Sequence, residues 1–230
     1  MTARAHPLDC PIWNALASTQ AAFAGAGDAR ALRFREDVSP FAAAADESAE
    51  AVLALGALAH ADDDMSLLER APPAPPPGVA LKMSAAGVQM VAERLRGGEA
   101  HIAIEPLGED DAAEMIELAA LTRPGPFRAR THTLGRFVGV RDGGRLAAMA
   151  GERLRLPGFV EVSGVCTHPD YRGRGYGAAL TRAVADRIVA EGETPFLHAY
   201  ASNAGAIALY RDLGFALRCE VTHAMWTRAE

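Results

Sequence analysis

Val165-Cys166-Thr167-His168-Pro169-Asp170-Tyr171-Arg172-Gly173-Arg174-Gly175-Tyr176-Gly177 is the stretch that organises the rest of the chain. An apolar run, Phe159 to Cys166, leads into it, and a segment with helical periodicity, Ala178 to Glu191, leads out. The implied geometry is strand, turn, helix N-terminus. Gly173, Gly175 and Gly177 admit positive φ and let a ligand approach the backbone closely. The first turn of the following helix offers unpaired N–H groups and the positive end of its dipole, which together make an anion site. Arg172 and Arg174 add charge-assisted contacts that suit a phosphate.

Three phosphate-loop patterns compete for this stretch. A P-loop is excluded, because no Gly-Lys-Ser/Thr is present. Gly173-x-Gly175-x-x-Ala178 formally fits the dinucleotide fingerprint, with Glu193 downstream as a ribose acid. Against it, Thr167 to Tyr171 separate the strand from the glycines, and Glu193 precedes the next strand instead of ending it. The third pattern fits better. Arg172-x-x-Gly175-x-Gly177, after a strand ending Val165-Cys166-Thr167, resembles the acyl-CoA signature of the GNAT superfamily of N-acetyltransferases. Asn203-x-x-Ala206-Ile207-x-Leu209-Tyr210-x-x-Leu213-Gly214-Phe215 resembles that superfamily's second signature. The resemblance covers Ile102 to Trp226.

The resemblance implies acetyl-CoA as co-substrate, with its pyrophosphate on the N–H groups of Arg172, Gly173, Arg174, Gly175, Tyr176 and Gly177. It implies that the signature strand splays from its neighbour and offers Val165, Cys166 and Thr167 to the pantetheine amides, a form of strand addition. The Val165 N–H then serves the thioester oxygen as it gains charge. Tyr210 matches the superfamily's general acid for the leaving thiolate, and Asn203 combines a helix cap with a CoA contact. Glu161, Ser163 and Val165 alternate and are expected to share one strand face. If Val165 faces the thioester, Glu161 lies towards the acceptor, and the resemblance implies a glutamate there as catalytic base, acting directly or through water, with His198 as a weaker candidate. Cys166, in an apolar strand without a paired histidine and acid, reads as a spectator. His168, before Pro169, reads as structural. The reaction expected is direct attack of an amine on acetyl-CoA in a ternary complex. A reading from a different class is a non-catalytic acyl-CoA-binding or regulatory module.

The chain has 230 residues, half of them apolar, and a formal net charge of −6. The charge argues against nucleic acid as partner and suits a small cationic or amine substrate, either a small molecule or a peptide. Three scattered cysteines, Cys10, Cys166 and Cys219, suggest neither a disulfide framework nor a metal site and fit a reducing cytoplasm. No apolar run approaches membrane-spanning length, and Met1 to Pro11 lack the apolar core of a signal peptide. Oligomeric state is not legible.

The expected fold class is α/β, with a mixed α+β sheet. Residues 100–230 are expected to form a GNAT acetyltransferase domain. Residues 1–99 are expected to form a smaller α/β domain that resembles a degenerate GNAT-like half. In the first part, helices are expected near Pro11 and over Ser48 to His60, and strands at Ala31–Phe34, Met65–Leu68, Val79–Met83 and Val88–Ala92. The run Ala71 to Gly78 is a proline-rich loop. Asp62, Asp63 and Asp64 read as a solvated turn. The second part reads as a strand at Ile102–Ile104, a helix capped by Asp110 or Asp111 with Met115, Leu118 and Leu121 buried, and an antiparallel meander. The meander comprises Thr133–Val140, Arg145–Leu156 and Phe159–Thr167. After the signature loop come a helix with Leu180, Val184 and Ile188 buried, a strand at Pro195–Tyr200, a helix after Asn203 and the last strands.

Overall fold

The computed structural model describes residues 6–96 and 102–229. In chain order the elements are α1 (Pro11–Leu16), β1 (Ala24–Gly27), β2 (Ala31–Phe34), β3 (Ala42–Ala44), α2 (Ala49–Ala57), β4 (Met65–Glu69) and β5 (Val79–Ala92). There follow β6 (Glu105–Leu107), α3 (Ala112–Thr122), β7 (Phe137–Asp142), β8 (Arg145–Leu156) and β9 (Phe159–Thr167). The chain continues with α4 (Tyr176–Ala190), β10 (Thr194–Tyr200), α5 (Ala204–Asp212) and β11 (Phe215–Arg228).

Local chemistry explains most of these boundaries. The Ser48 side chain accepts from the Ala51 N–H and starts α2. Asp142, Gly143 and Gly144 turn β7 into β8, both glycines at positive φ (59° and 85°). Leu180, Val184 and Ile188 are fully buried on one face of α4, and Gly192 at φ 81° follows its end. Leu121 departs from the expected stripe of α3: it is exposed, while Met115, Leu118 and Ala119 face the core. The segment expected to begin a strand at Thr133 is instead a short 3-10 turn, Thr131–Leu134, and β7 starts at Phe137.

Eight strands form one mixed sheet in the order β4-β11-β5-β10-β9-β8-β7-β6, and β1-β2-β3 form a small antiparallel sheet beside it. Side chains alternate across the large sheet. Ala148 and Ala150 of β8 pack with Leu180, Val184 and Ile188 of α4, whereas Met149 packs with Met115 and Leu118 of α3. Helices therefore cover both faces.

The large sheet takes strands from both sides of the expected division at residues 99 and 100, a position that itself lies outside the described residues. β5 is hydrogen-bonded to β10 on one side and to β11 on the other, each antiparallel. β4 adds to the far edge of β11. Two strands from the first part thus complete the sheet of the second, because β10 and β11 do not pair with each other and need β5 between them. The two strands expected at Val79–Met83 and Val88–Ala92 are one continuous strand of 14 residues.

A candidate acyl-CoA site between diverging strands

The site begins where β9 and β10 stop pairing. They run parallel with ladder partners Thr194↔Phe159, Pro195↔Val160 and Phe196↔Glu161, and no pair is formed beyond these. Each strand stays bonded on its outer side, β9 to β8 as far as Thr167↔Ala148 and β10 to β5 as far as Tyr200↔Gly87. The two strands therefore part like a V held open from both sides.

A β-bulge re-aims the end of β9. The pairs Gly151↔Ser163 and Met149↔Cys166 set one more residue on β9 than on β8, and Gly164 takes up the slack at φ 64°. The expected alternation through Val165 is corrected by this bulge. Val160, Val162 and Val165 pack on the α4 side, so Val165 does not share a face with Glu161.

A cavity of about 630 Å³ occupies the V. Among the expected site residues, Val165, Cys166, Thr167, Arg172, Gly173, Gly177, Asn203 and Tyr210 line it, and Arg174, Gly175, Tyr176 and Glu161 do not. At the end lined by Arg172 and Gly173 the His168 ring accepts from the Asp170 N–H and meets Arg145 at 2.7 Å, which ties down the loop. Gly173 and Gly175 both stand at φ 79°, and a Cβ on either would meet nothing within 4 Å. Gly175 is the N-cap of α4 and no side chain caps that end. The loop is thus an open, backbone-lined cradle facing unpaired N–H groups, which fits an anionic group. Arg174 turns away: it lies 4.9 Å over the Tyr171 ring and pairs with Asp142.

Asn203 caps α5, accepting from the Ala206 N–H at 3.2 Å, while lining the cavity. Tyr210, two residues before the end of α5, packs edge-on to Phe215. Burial, with the nearby Cys166, pushes its hydroxyl up to about 12. Burial also pushes the Cys166 thiol up to about 11, so it is no thiolate at neutral pH.

Glu161, the expected base, is not part of the cavity lining. It is fully buried and stands behind the cavity wall. Its carboxylate accepts from Arg153 at Nε (2.8 Å) and Nη2 (2.6 Å), and from His198 Nδ1 at 2.7 Å. Burial acts to raise its pKa, but the charge and hydrogen bonds of Arg153, and then His198, outweigh this and hold it at about 2. A carboxylate so acidic holds a proton poorly. His198 is committed at both nitrogens, Nε2 meeting the Gln89 side-chain amide at 3.0 Å.

Several cavity residues carried no recognisable signal. Phe41, Leu68 and Gly87 come from the first part of the chain, and Arg153, Tyr200 and His223 from the second. His223 meets the Tyr200 hydroxyl and Ser66 Oγ, each at 3.1 Å. Burial and then the charge of Arg153 push His223 down to about 4, so it is neutral. The adjacent charges Glu152 and Arg153 within an apolar strand were the available signal, since both are buried.

Comparison with known proteins bears on this geometry. The family model described as FR47-like protein matches residues 137–227. A crystal structure from Novosphingobium aromaticivorans DSM 12444, assigned to the GNAT family, is 44% identical, superimposes with a TM-score of 0.90 and covers 98% of this chain and 100% of that one. The chain belongs to the GNAT family of acetyltransferases. Two curated acetyltransferases are similar over shorter spans. The N-alpha-acetyltransferase RimI of Mycobacterium tuberculosis is 43% identical over 82 residues, 34% of this chain and 51% of that protein. The mycothiol acetyltransferase of Corynebacterium aurimucosum is 37% identical over 75 residues, 32% of this chain and 24% of that protein. The match thus spans about half of the first and a quarter of the second. Among the described residues, no helix is long and apolar enough to cross a membrane.

Proposed function

We propose that this protein is an acetyl-CoA-dependent N-acetyltransferase in which an amine attacks the thioester directly. The observation that carries this is the parting of β9 from β10 directly above the uncapped N-terminus of α4. One gap thus joins a free strand edge to an anion cradle, the two features an acyl-CoA requires.

In this reading the N–H groups of Arg172 to Gly177 and the Arg172 side chain hold the pyrophosphate. Contacts of this charge-assisted kind contribute about 1.5–3 kcal/mol each. Val165, Cys166 and Thr167 hold the pantetheine arm, and the Val165 N–H receives the charge that develops on the thioester oxygen. Tyr210 delivers a proton to the departing CoA sulfur. Its raised pKa keeps it protonated across the working range. Among the described residues the His198 and His223 rings line the cavity and no Asp or Glu does; in this reading the amine gives its proton to water before attack and reacts as the free base. Glu161 acts as a positioning residue for Arg153 and His198. The cytoplasmic setting expected from composition belongs to this proposal.

Titration calorimetry with acetyl-CoA and with NAD, followed by thiol detection of CoA released with a panel of amines, tests the reading. Binding of acetyl-CoA and amine-dependent CoA release are expected. Binding without release for any amine points to a non-catalytic module, and binding of NAD alone overturns the site assignment.

A further inference from the structure

Two sets of residues line the cavity. One, from Val165 to Gly177 and from Asn203 to Tyr210, is accounted for by acyl-CoA. The other comprises Phe41, Leu68, the Arg123–Pro126 turn, Arg153, Val221 and His223. Arg153 is the centre of the second set. Its guanidinium lies 4.8 Å over the Phe41 ring, and its side chain is only 9% exposed. Nε and Nη2 are taken by Glu161. Nη1 has no hydrogen-bond partner among the described residues and points to the Gly125 side, 3.9 Å from where a Cβ on that glycine would stand. Nη1 is not among the fully buried atoms, so this otherwise buried guanidinium opens one pair of N–H donors onto the cavity, where an occupant can accept from them.

Behind the wall Arg153 is paired with Glu161, but the charged side chains that line the cavity itself have one sign. Among the described residues Arg123, Arg153 and Arg172 line it and no Asp or Glu does, although the whole chain carries a net charge of −6. A cationic acceptor finds no counter-charge here. An acceptor with a carboxylate finds a rigid fork, oriented by Glu161, with N–H groups to spare. Around that fork the wall is apolar: Phe41, Leu68 and Val221.

We infer that the acceptor is a small amino acid, its carboxylate held by Arg153 Nη1 and its apolar side chain resting on Phe41, Leu68 and Val221. This rests on the acetyltransferase reading and names the acceptor class for it. Arg153 fixes one end of the acceptor and leaves the amine free to reach the thioester. Amine and carboxylate share one cavity of about 630 Å³ with the end of the pantetheine arm, which favours a small molecule over a peptide chain.

The test compares L-leucine and L-phenylalanine with their amides and with isopentylamine, using the full chain, saturating acetyl-CoA and equal concentrations of free amine. The acids are expected to exceed the amides in kcat/KM by about 10- to 100-fold, mainly through KM, the range that one charge-assisted contact supplies. Arg153→Lys keeps the cation and loses the planar fork, and should bring the acid-to-amide ratio towards one. A merely weakened fold lowers both rates together and leaves that ratio intact. Equal use of acid and amide overturns the inference while leaving acetyl transfer standing. Preference for a peptide N-terminus over the free amino acid, or no turnover of any small amine by protein that binds acetyl-CoA, also overturns it. Failure to bind acetyl-CoA overturns the reading beneath it.

Discussion

Glu161 grips Arg153 at two nitrogens, at 2.6 and 2.8 Å, and so converts a carboxylate expected to act on substrate into the fixed back of the cavity wall. Both partners are buried, and removing one leaves the other's charge uncompensated. Breaking such a pair typically costs about 3–5 kcal/mol. Glu161→Gln is therefore expected to lower stability by about 3 kcal/mol in urea unfolding, and to lower activity by the same factor at every pH. Rescue of the activity by raising pH contradicts the positioning role and restores the carboxylate as base.

The same pair gives stability a pH dependence. The folded pKa of Glu161, about 2, lies below the ordinary carboxylate value of 4.5. Its contribution is therefore fully present above about pH 4.5 and is lost as pH falls towards 2. Acid unfolding of the wild type should steepen across that window, and the Glu161→Gln variant should show a shallower slope there. Superimposable slopes would show that the carboxylate does not carry this share of the acid sensitivity.

Gly175 combines φ 79° with open space where a Cβ would stand. Gly175→Ala should cost about 1–2 kcal/mol of stability, the penalty of left-handed backbone for an L-residue. Gly175→Asp adds a negative charge to the anion cradle and should weaken acetyl-CoA binding by at least about 10-fold, the loss of one charge-assisted contact. Gly158→Asp, at φ 84° in the β8–β9 turn, supplies the matched control for backbone strain. Calorimetry showing the same affinity in both aspartate variants sinks the cradle assignment.

Tyr210→Phe removes one hydroxyl from a ring whose packing on Phe215 is retained. A reduction in kcat of about 100-fold is expected, within the range for loss of a general acid, with acetyl-CoA affinity nearly unchanged. An unaltered kcat, with an acceptor for which chemistry limits the rate, assigns Tyr210 to packing alone.

A fragment starting at Glu99 lacks β4 and β5 and leaves β10 and β11 without the strand that joins them. It is expected to show no cooperative thermal transition and no acetyl-CoA binding. A soluble fragment with native-like dispersion in its amide NMR spectrum would show that β10 and β11 can close on each other.

Much of this was legible from the chain. β8 and β9 begin and end where their turn residues predicted, because Gly143, Gly144, Pro157 and Gly158 punctuate the meander unambiguously. The signature loop was equally readable, since glycines at alternate positions have few other uses. What the sequence hid was pairing across distance. Nothing in Val79 to Ala92 announces that it belongs between two strands more than a hundred residues away, since periodicity reports which face is buried and not which strand lies alongside. The bulge at Gly164 was hidden for a related reason: one inserted residue reverses every later side chain, and that shift is visible only against Met149 and Gly151 of the partner strand. The expected orientation of Glu161 towards the acceptor depended on that alternation being unbroken through Val165.

The place of β5 also fixes when during synthesis the site can exist. β5 leaves the ribosome with neither of its sheet neighbours yet made, and it stays without them until β10 and then β11 follow. Its backbone donors and acceptors meanwhile face solvent or chaperone, the exposure that makes late-paired strands slow to fold and prone to aggregate. The half of the chain that carries the signature loop cannot fold ahead as a finished unit. A nascent chain stalled before Phe215 also lacks Val221 and His223, so the cavity wall is complete only after the last strand has been translated.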